Sequence, residues 1–79
     1  MSGDEFRAAR LSLGLDVKEA AAMLGYSNAT GGEHILRLER DRRAVTGPVI
    51  RLMRIYLSGF RPSDWPEHLI ANKKGAPHG

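Results

Sequence analysis

Arginines and hydrogen-bonding side chains are concentrated in one stretch near the middle of the sequence, TGGEHILRLERDRR, residues 30–43. Arginine forms paired hydrogen bonds with phosphate and with the O6 and N7 atoms of guanine better than lysine does. Arg37 is therefore the first predicted base-contacting residue. Its alternative is a simple surface ion pair with Glu33, because the two residues are four positions apart on a predicted helix.

Three neighbours of Arg37 complete the predicted base-contacting set: His34, Leu36 and Glu33. His34 can donate to a base edge or a phosphate, and Leu36 can touch a thymine methyl group. Glu33 can accept only from cytosine N4 and is repelled by phosphates, so a helix-capping role is favoured for it. The alternatives are a solvated His34 and a Leu36 that packs on the preceding helix.

Six further residues are predicted to contact phosphate: Lys18, Asn28, Thr30, Arg40, Arg42 and Arg43. Cationic and short polar side chains are the usual partners of phosphate oxygens. The alternative for Asn28 and Thr30 is hydrogen bonding to the local backbone of a turn. The alternative for the three arginines is a solvated loop, in which Asp41 offers a local partner.

The charge distribution supports a polyanionic partner. Residues 37–61 contain seven arginines and only two carboxylates, a net charge of +5, whereas residues 1–36 have a net charge of −2. A basic sector on an otherwise balanced small domain suits nucleic acid. The alternative is a solvated face with local ion pairs. The aromatic residues are scattered, so no platform for stacking single-stranded bases is predicted.

Size and composition restrict the remaining possibilities. A chain of 79 residues corresponds to one domain, and such a chain buries only about 60% of its unfolded surface, so a dimer partner would help its stability. The absence of cysteine excludes disulfides and thiolate metal sites. The three histidines lack metal-ligand spacing, and no cofactor is expected. No membrane-spanning run or signal-peptide pattern is found, which predicts a cytoplasmic protein.

Helix start and stop signals recur along the chain and predict an all-α fold of four to five short helices. The first four predicted helices cover residues 4–13, 17–24, 32–40 and 47–58. Asp16 with Glu19, and Thr30 with Glu33, have capping-box spacing. A glycine-containing turn joins the second and third helices, which is typical of a helix-turn-helix.

A fifth short element follows Ser63 and contains the apolar residues Trp65, Leu69 and Ile70. These three residues are predicted to form a dimer interface. The alternative is that they pack onto the fourth helix of their own chain. Residues 1–71 are expected to form one domain, and residues 72–79, which contain glycine, proline and lysine, are expected to be a disordered tail.

Several short motifs between residues 6 and 57 together resemble the lambda Cro/cI-type (XRE) helix-turn-helix repressor family. In order, the motifs are Arg10 before Gly14-Leu15, Glu19-Ala20-Ala21, Leu24-Gly25-Tyr26-Ser27, Leu38-Glu39, and a final helix over residues 46–57. Residues 42–57 (RRAVTGPVIRLMRIYL) and 59–66 (GFRPSDWP) also resemble small phage or mobile-element members of this family, such as anti-CRISPR-associated repressors and antitoxin-type regulators. The resemblance implies a lambda repressor-like DNA-binding domain in which Arg10 pairs with Glu39.

The sequence departs from the family pattern at two places. Members often carry Thr or Ser followed by Gln at the start of the second helix, where the Gln binds a phosphate. Here these positions are Asp16 and Val17, and Lys18 is predicted to supply the contact instead. The interval from Ser27 to Glu39 is also longer than usual, which predicts an enlarged turn and a third helix that begins near Gly32.

The expected function is a sequence-specific double-stranded DNA-binding transcriptional regulator, most simply a homodimeric autorepressor of an inverted repeat in a promoter. A chain of this length has no room for a sensor domain, so no small-molecule effector is expected. No catalytic motif is present, and an enzyme is not expected. The alternative is an antitoxin or adaptor-type protein-interaction module that uses the same fold, since fold alone does not fix function.

Overall fold

A computed structural model of the protein describes residues 1–70, which form an all-α fold with no strand among them. α1 spans Gly3–Ser12, α2 spans Val17–Met23, α3 spans Gly31–Glu39 and α4 spans Gly47–Leu57. Residues 67–70 are also helical. The predicted fold class is confirmed, and the ends of the four helices differ from prediction by single residues. The predicted disordered tail, residues 72–79, lies outside the described residues.

α1 and α2 begin with complete capping boxes. Ser2 Oγ accepts from the Glu5 amide while Glu5 Oε1 accepts from the Ser2 amide. These hydrogen bonds hold the pKa of the Glu5 carboxyl below its ordinary value, because they favour the charged form. Asp16 and Glu19 form the same pair of bonds at the start of α2, which confirms the predicted cap.

The capping box predicted for Thr30 and Glu33 is wrong. Thr30 occupies the N-cap position of α3, but its side chain makes no capping hydrogen bond. The preceding Ser27 hydroxyl instead accepts from the amides of Ala29 and Thr30, at 3.1 and 3.3 Å. The turn is therefore closed by its own serine, and Glu33 is free to bond elsewhere.

Each of the four helices ends in the same motif, in which the chain reverses through a residue with positive φ. After α1, α2 and α4 this residue is Gly14, Gly25 and Gly59. After α3 it is Asp41, with a φ of 58°, a conformation that side chains other than Asn and Asp rarely adopt.

The core lies where α3 packs against α2 and α1, with α4 packed on α1. Four large side chains are completely buried: Phe6, Ile35, Leu38 and Met53. α2 contributes the small residues Ala20 and Ala21, which allow another helix to approach closely. The Tyr56 hydroxyl then connects α4 to the end of α2 by donating to the Met23 carbonyl at 2.6 Å.

α2 and α3 approach each other closely at Gly31. A Cβ atom at this position would lie 2.6 Å from the Cβ of Ala21 and 3.3 Å from the Cβ of Tyr26. Any side chain would therefore push the two helices apart. The third helix, predicted to begin near Gly32, begins one residue earlier, at Gly31.

Trp65 packs against residues of its own chain, as the intramolecular alternative predicts. Only 4% of its surface is exposed, its ring meets that of Tyr56 edge-on at 5.1 Å, and the Arg61 guanidinium lies 4.5 Å from its centroid. A side chain buried in this way offers no area to a second copy, so Trp65 is not an interface residue. Leu69 and Ile70 are half-buried, and their role in a dimer stays a prediction.

The segment after Trp65 lies over the turn between α1 and α2. Cδ2 of Leu69 would be 3.4 Å from a Cβ atom at Gly14, and His68 Nε2 lies 2.6 Å from Glu19 Oε2.

Among residues 1–70, no helix combines the length and the apolar character needed to cross a membrane.

Candidate nucleic-acid interface

The outer face of α3 carries two of the predicted base-contacting residues as an ion pair. Ile35 and Leu38 are buried in the core, which fixes how the helix is rotated about its axis. Arg37 Nη2 donates to Glu33 Oε1 at 3.3 Å on the exposed face. The two side chains remain 50% and 69% exposed, so both are accessible to a ligand.

A depression of about 320 Å³ lies beside this pair. Its lining residues are Glu33, Leu36, Arg37, Arg40 and Arg42. The structure thus brings together three predicted base-contacting residues and two predicted phosphate-contacting residues on one surface. Leu36 is half-buried and contributes an apolar edge to it.

The depression is electropositive because three of its lining residues are arginines and only one is a carboxylate. Arg40, Arg42 and the neighbouring Arg43 are exposed, and none forms an ion pair with a carboxylate of the described part of the chain. Arg43 is not part of the lining. The loop therefore presents cations whose charge is not neutralised locally.

Asp41 does not pair with these arginines, because its side chain is used elsewhere. Oδ1 of Asp41 accepts from the Gly3 amide at 2.8 Å, which satisfies a free N–H group in the first turn of α1. The backbone amides of Asp41 and Arg42 donate to the carbonyls of Leu38 and Arg37, at 3.2 and 2.9 Å. Arg42 is thereby held next to the end of α3.

The same end of α3 is fixed by the pair of Arg10 and Glu39, which the family resemblance implies and the structure confirms. Gly3 lies against this end as well, since a Cβ atom there would collide with the carbonyls of Leu38 and Glu39. α1 therefore acts as the support for the part of α3 that carries the exposed arginines.

His34 is half-buried against Tyr26 rather than fully solvated. The two ring centroids lie 4.2 Å apart with their planes inclined by 38°. Partial burial raises the pKa of Tyr26 above its ordinary value of 10.0, because burial disfavours the charged phenolate. The contact restricts the orientation of the imidazole, and base contact by His34 stays a prediction.

The turn before α3 brings together two predicted phosphate-contacting residues. Lys18 and Asn28 line a small depression of about 130 Å³, together with Ala21, Ser27 and Gly32. Lys18 Cγ would be 3.6 Å from a Cβ atom at Gly32, which places the start of α2 beside the start of α3. Thr30 is exposed but is not part of this lining.

Several residues that shape the site were not identified from the sequence. Aspartate is one of the residue types that tolerate positive φ. In the sequence, however, Asp41 stands between arginines, so it resembles a surface ion-pair partner. From the sequence, Tyr26 is part of a family motif and one of the scattered aromatic residues, and nothing in it indicates a contact with His34. Its packing on His34 depends on the exact length of the enlarged turn.

Within residues 1–70, no three His, Asp or Glu side chains are grouped so that they could hold a metal ion. His78, one of the three histidines, lies outside the described residues. Glu19 and His68 are in contact, but Glu19 also caps α2, and His68 belongs to the C-terminal segment that packs beside it.

The chain was compared with protein-family models, with curated proteins and with solved structures, and nothing in any of the three comparisons matches it. The assignment of a function therefore depends on the residues and geometry described above.

Proposed function

We propose that the protein is a sequence-specific double-stranded DNA-binding transcriptional regulator of the lambda Cro/cI type, acting as a homodimeric repressor. The observation that carries this proposal is the shared surface of Glu33, Leu36, Arg37, Arg40 and Arg42. It combines groups suited to base edges with groups suited to phosphates, on a helix whose inner face is completely buried.

In the proposed complex α3 lies in the major groove. Arg37 binds guanine O6 and N7, and Glu33 orients the guanidinium or accepts from the N4 group of a nearby cytosine. Leu36 contacts a thymine methyl group. His34, held by Tyr26, donates to a base edge or phosphate at the N-terminal part of the helix.

The phosphate contacts of the proposed complex flank α3 on both sides. Lys18 and Asn28 bind one strand beside the turn that precedes α3, with Thr30 next to them. The remaining contacts come from the loop after the helix, through Arg40, Arg42 and Arg43. Two subunits would read an inverted repeat whose half-sites are about 10 bp apart.

Footprinting on the DNA upstream of the gene, followed by competition with random duplex, tests the proposal. We expect a symmetric protected region and a preference over random duplex of about 1000-fold or more. We also expect the logarithm of the binding constant to fall linearly with the logarithm of salt concentration, through release of counterions. If random duplex competes for binding as effectively as the upstream DNA does, the protein is not a specific regulator.

A further inference from the structure

The outer face of α4 forms a second cationic and apolar surface, away from the core. Val49, Met53 and Tyr56 bury the inner face of the helix. The outer face has a depression of about 570 Å³. We call its lining the α4 outer surface: Gly47, Ile50, Arg51, Arg54, Ile55 and Ser58.

Exposed apolar residues are frequent in the last turn of α4 and just after it, and one of them, Ile55, belongs to this surface. Residues 1–70 leave four large apolar side chains exposed, and three of these lie between positions 55 and 60. Ile55 is 37% exposed, Leu57 45% and Phe60 56%. Exposed Ile55 and half-buried Ile50 lie on the same surface as two arginines, a combination more typical of a protein-interaction surface than of a solvated helix face.

The charge of the surface is positive and is not neutralised by close contacts. Arg51 and Arg54 are both exposed, and neither has an ion pair with a carboxylate within the described residues. Hydrogen bonds with Ser2 are the main cause of the lowered pKa of Glu5 and the charge of Arg54 is the smallest, so the Glu5 carboxylate is bound to Ser2 and not to Arg54. A partner of complementary charge must therefore be acidic.

A second copy of the chain does not fit this surface. In a two-fold symmetric dimer the same patch faces itself, so the two arginines of one copy, Arg51 and Arg54, would be brought close to the same two arginines of the other copy. Like charges brought together in this way oppose association.

Double-stranded DNA is also a poorer fit than protein. Phosphate and sugar groups gain nothing from Ile50 and Ile55, which lie on the same surface as the two arginines. Arginine beside apolar side chains is instead the composition enriched in protein interfaces. An amphipathic helix with acidic flanks would bury the isoleucines and neutralise both guanidinium groups.

We infer that the α4 outer surface is a docking site for an acidic amphipathic helix of another protein. The inference does not require DNA binding, because it involves none of the residues assigned to the DNA surface. If both are correct, the protein binds DNA through α3 and binds a second protein through α4. Apolar contacts combined with charge attraction would hold that second partner.

The test uses fluorescein-labelled synthetic peptides of about 15 residues, which is about four helical turns. One peptide places leucines at helical spacing i, i+3, i+4 and i+7 with glutamates elsewhere. A second has the same composition with the leucines scattered, and a third replaces every glutamate with lysine. Fluorescence anisotropy with the full-length protein should show saturable binding of the first peptide alone.

Charge reversal then locates the binding site. We expect Arg51→Glu with Arg54→Glu to weaken the acidic peptide by about tenfold or more, and to gain binding of the lysine peptide. The matched control, Arg42→Glu with Arg43→Glu, reverses the same number of charges and should keep peptide binding while losing duplex DNA. Circular dichroism checks that both variants are folded.

Four results would overturn the inference. The first is no binding of the acidic amphipathic peptide, and the second is equal binding of the scattered peptide. The third is loss of duplex affinity in the Arg51 and Arg54 variant as large as that in the Arg42 and Arg43 variant, which would identify a DNA contact. The fourth is a dimer, seen by sedimentation, that this charge reversal dissociates, which would identify a contact between copies.

Discussion

The guanidinium of Arg10 binds the carboxylate of Glu39 through two hydrogen bonds, from Nε to Oε2 at 2.5 Å and from Nη2 to Oε1 at 3.3 Å. Its third nitrogen donates to the Leu15 carbonyl at 2.9 Å. The two side chains are only 10% and 6% exposed. One arginine thus connects α1, the turn that follows it and the end of α3, from which the exposed arginines extend.

Replacing Glu39 with Gln should be strongly destabilising, because it leaves the buried Arg10 without a counter-charge. Removing one member of a buried pair typically costs about 3 to 5 kcal/mol, and the retained amide oxygen places this variant near the lower end. The free energy of unfolding in urea measures the effect. Glu33→Gln is the control, since its pair with Arg37 is exposed and such pairs contribute less than about 1 kcal/mol.

The two adjacent glycines of α3 should respond oppositely to alanine. Gly31→Ala forces a Cβ atom to within 2.6 Å of the Ala21 Cβ, and overpacking of this kind costs about 1 to 3 kcal/mol. Gly32→Ala meets only ordinary contacts at 3.6 Å, so the better helix propensity of alanine should leave the protein unchanged or stabilise it by up to about 1 kcal/mol. Thermal unfolding of the two variants compares them directly.

Adding Ala21→Gly to Gly31→Ala provides the control for the glycine comparison. The second substitution removes the atom that the new methyl group would strike. The double variant should therefore recover part of the lost stability, although glycine within α2 carries its own cost of about 1 kcal/mol. A double variant whose losses simply add would show that the helix contact is not the cause.

Local signals predicted the fold well, whereas the site depends on contacts between distant residues. Asp16 with Glu19, and the glycines that end three helices, act within a few positions, so the sequence pattern identifies them. The contact of Gly31 with Ala21 requires the packing of two helices, and nothing local distinguishes this glycine from Gly32.

Two incorrect predictions have the same origin. Glu33 had the spacing of a capping residue, but Ser27 closes the turn, and Arg37 is the partner of Glu33 instead. Trp65 had the apolar character of an interface residue, but Tyr56 and Arg61 surround it within one chain. In each case the sequence pattern is compatible with two different partners of the same residue, and only the three-dimensional arrangement determines which contact forms.

Tyr56→Phe should destabilise the protein by about 1 to 3 kcal/mol, because the Met23 carbonyl then stays buried without its hydrogen bond. Urea unfolding at neutral pH measures this loss. Tyr26→Phe is the matched control, since the Tyr26 hydroxyl makes no hydrogen bond with residues 1–70. An equal loss in both variants would contradict the role assigned to the bond.

The same tyrosine makes stability depend on alkaline pH. Burial, and then the nearby Asp64 charge, raise the pKa of Tyr56 above its ordinary value of 10.0. A raised pKa in the folded protein gives a contribution that is complete below pH 10.0 and is lost as the pH rises through the folded value. Urea unfolding at a series of alkaline pH values should show a smaller loss for Tyr56→Phe than for the wild type.

Asp41 should tolerate asparagine but not alanine. Asparagine accepts positive φ and keeps a side-chain oxygen for the Gly3 amide, so its effect should be below about 0.5 kcal/mol. Alanine loses the bond and strains the backbone, which should cost about 1 to 3 kcal/mol. Asp41→Gly separates the two causes, because it relieves the φ strain but still loses the bond. Unfolding free energies that place Gly level with Ala would assign the whole effect to the hydrogen bond.

Arg37 and Arg43 should affect DNA binding in different ways. Arg37→Ala should cost about 1 to 3 kcal/mol on the preferred operator and remove discrimination at one base pair, because a base contact is lost. Arg43→Ala should weaken all duplexes similarly and reduce the salt-dependence slope by about one unit, because only a phosphate contact is lost. Binding to a set of single-base operator variants at several salt concentrations separates these patterns. If Arg37→Ala weakened every duplex equally, Arg37 would be a phosphate contact and the reading of α3 as the base-contacting helix would lose its main residue.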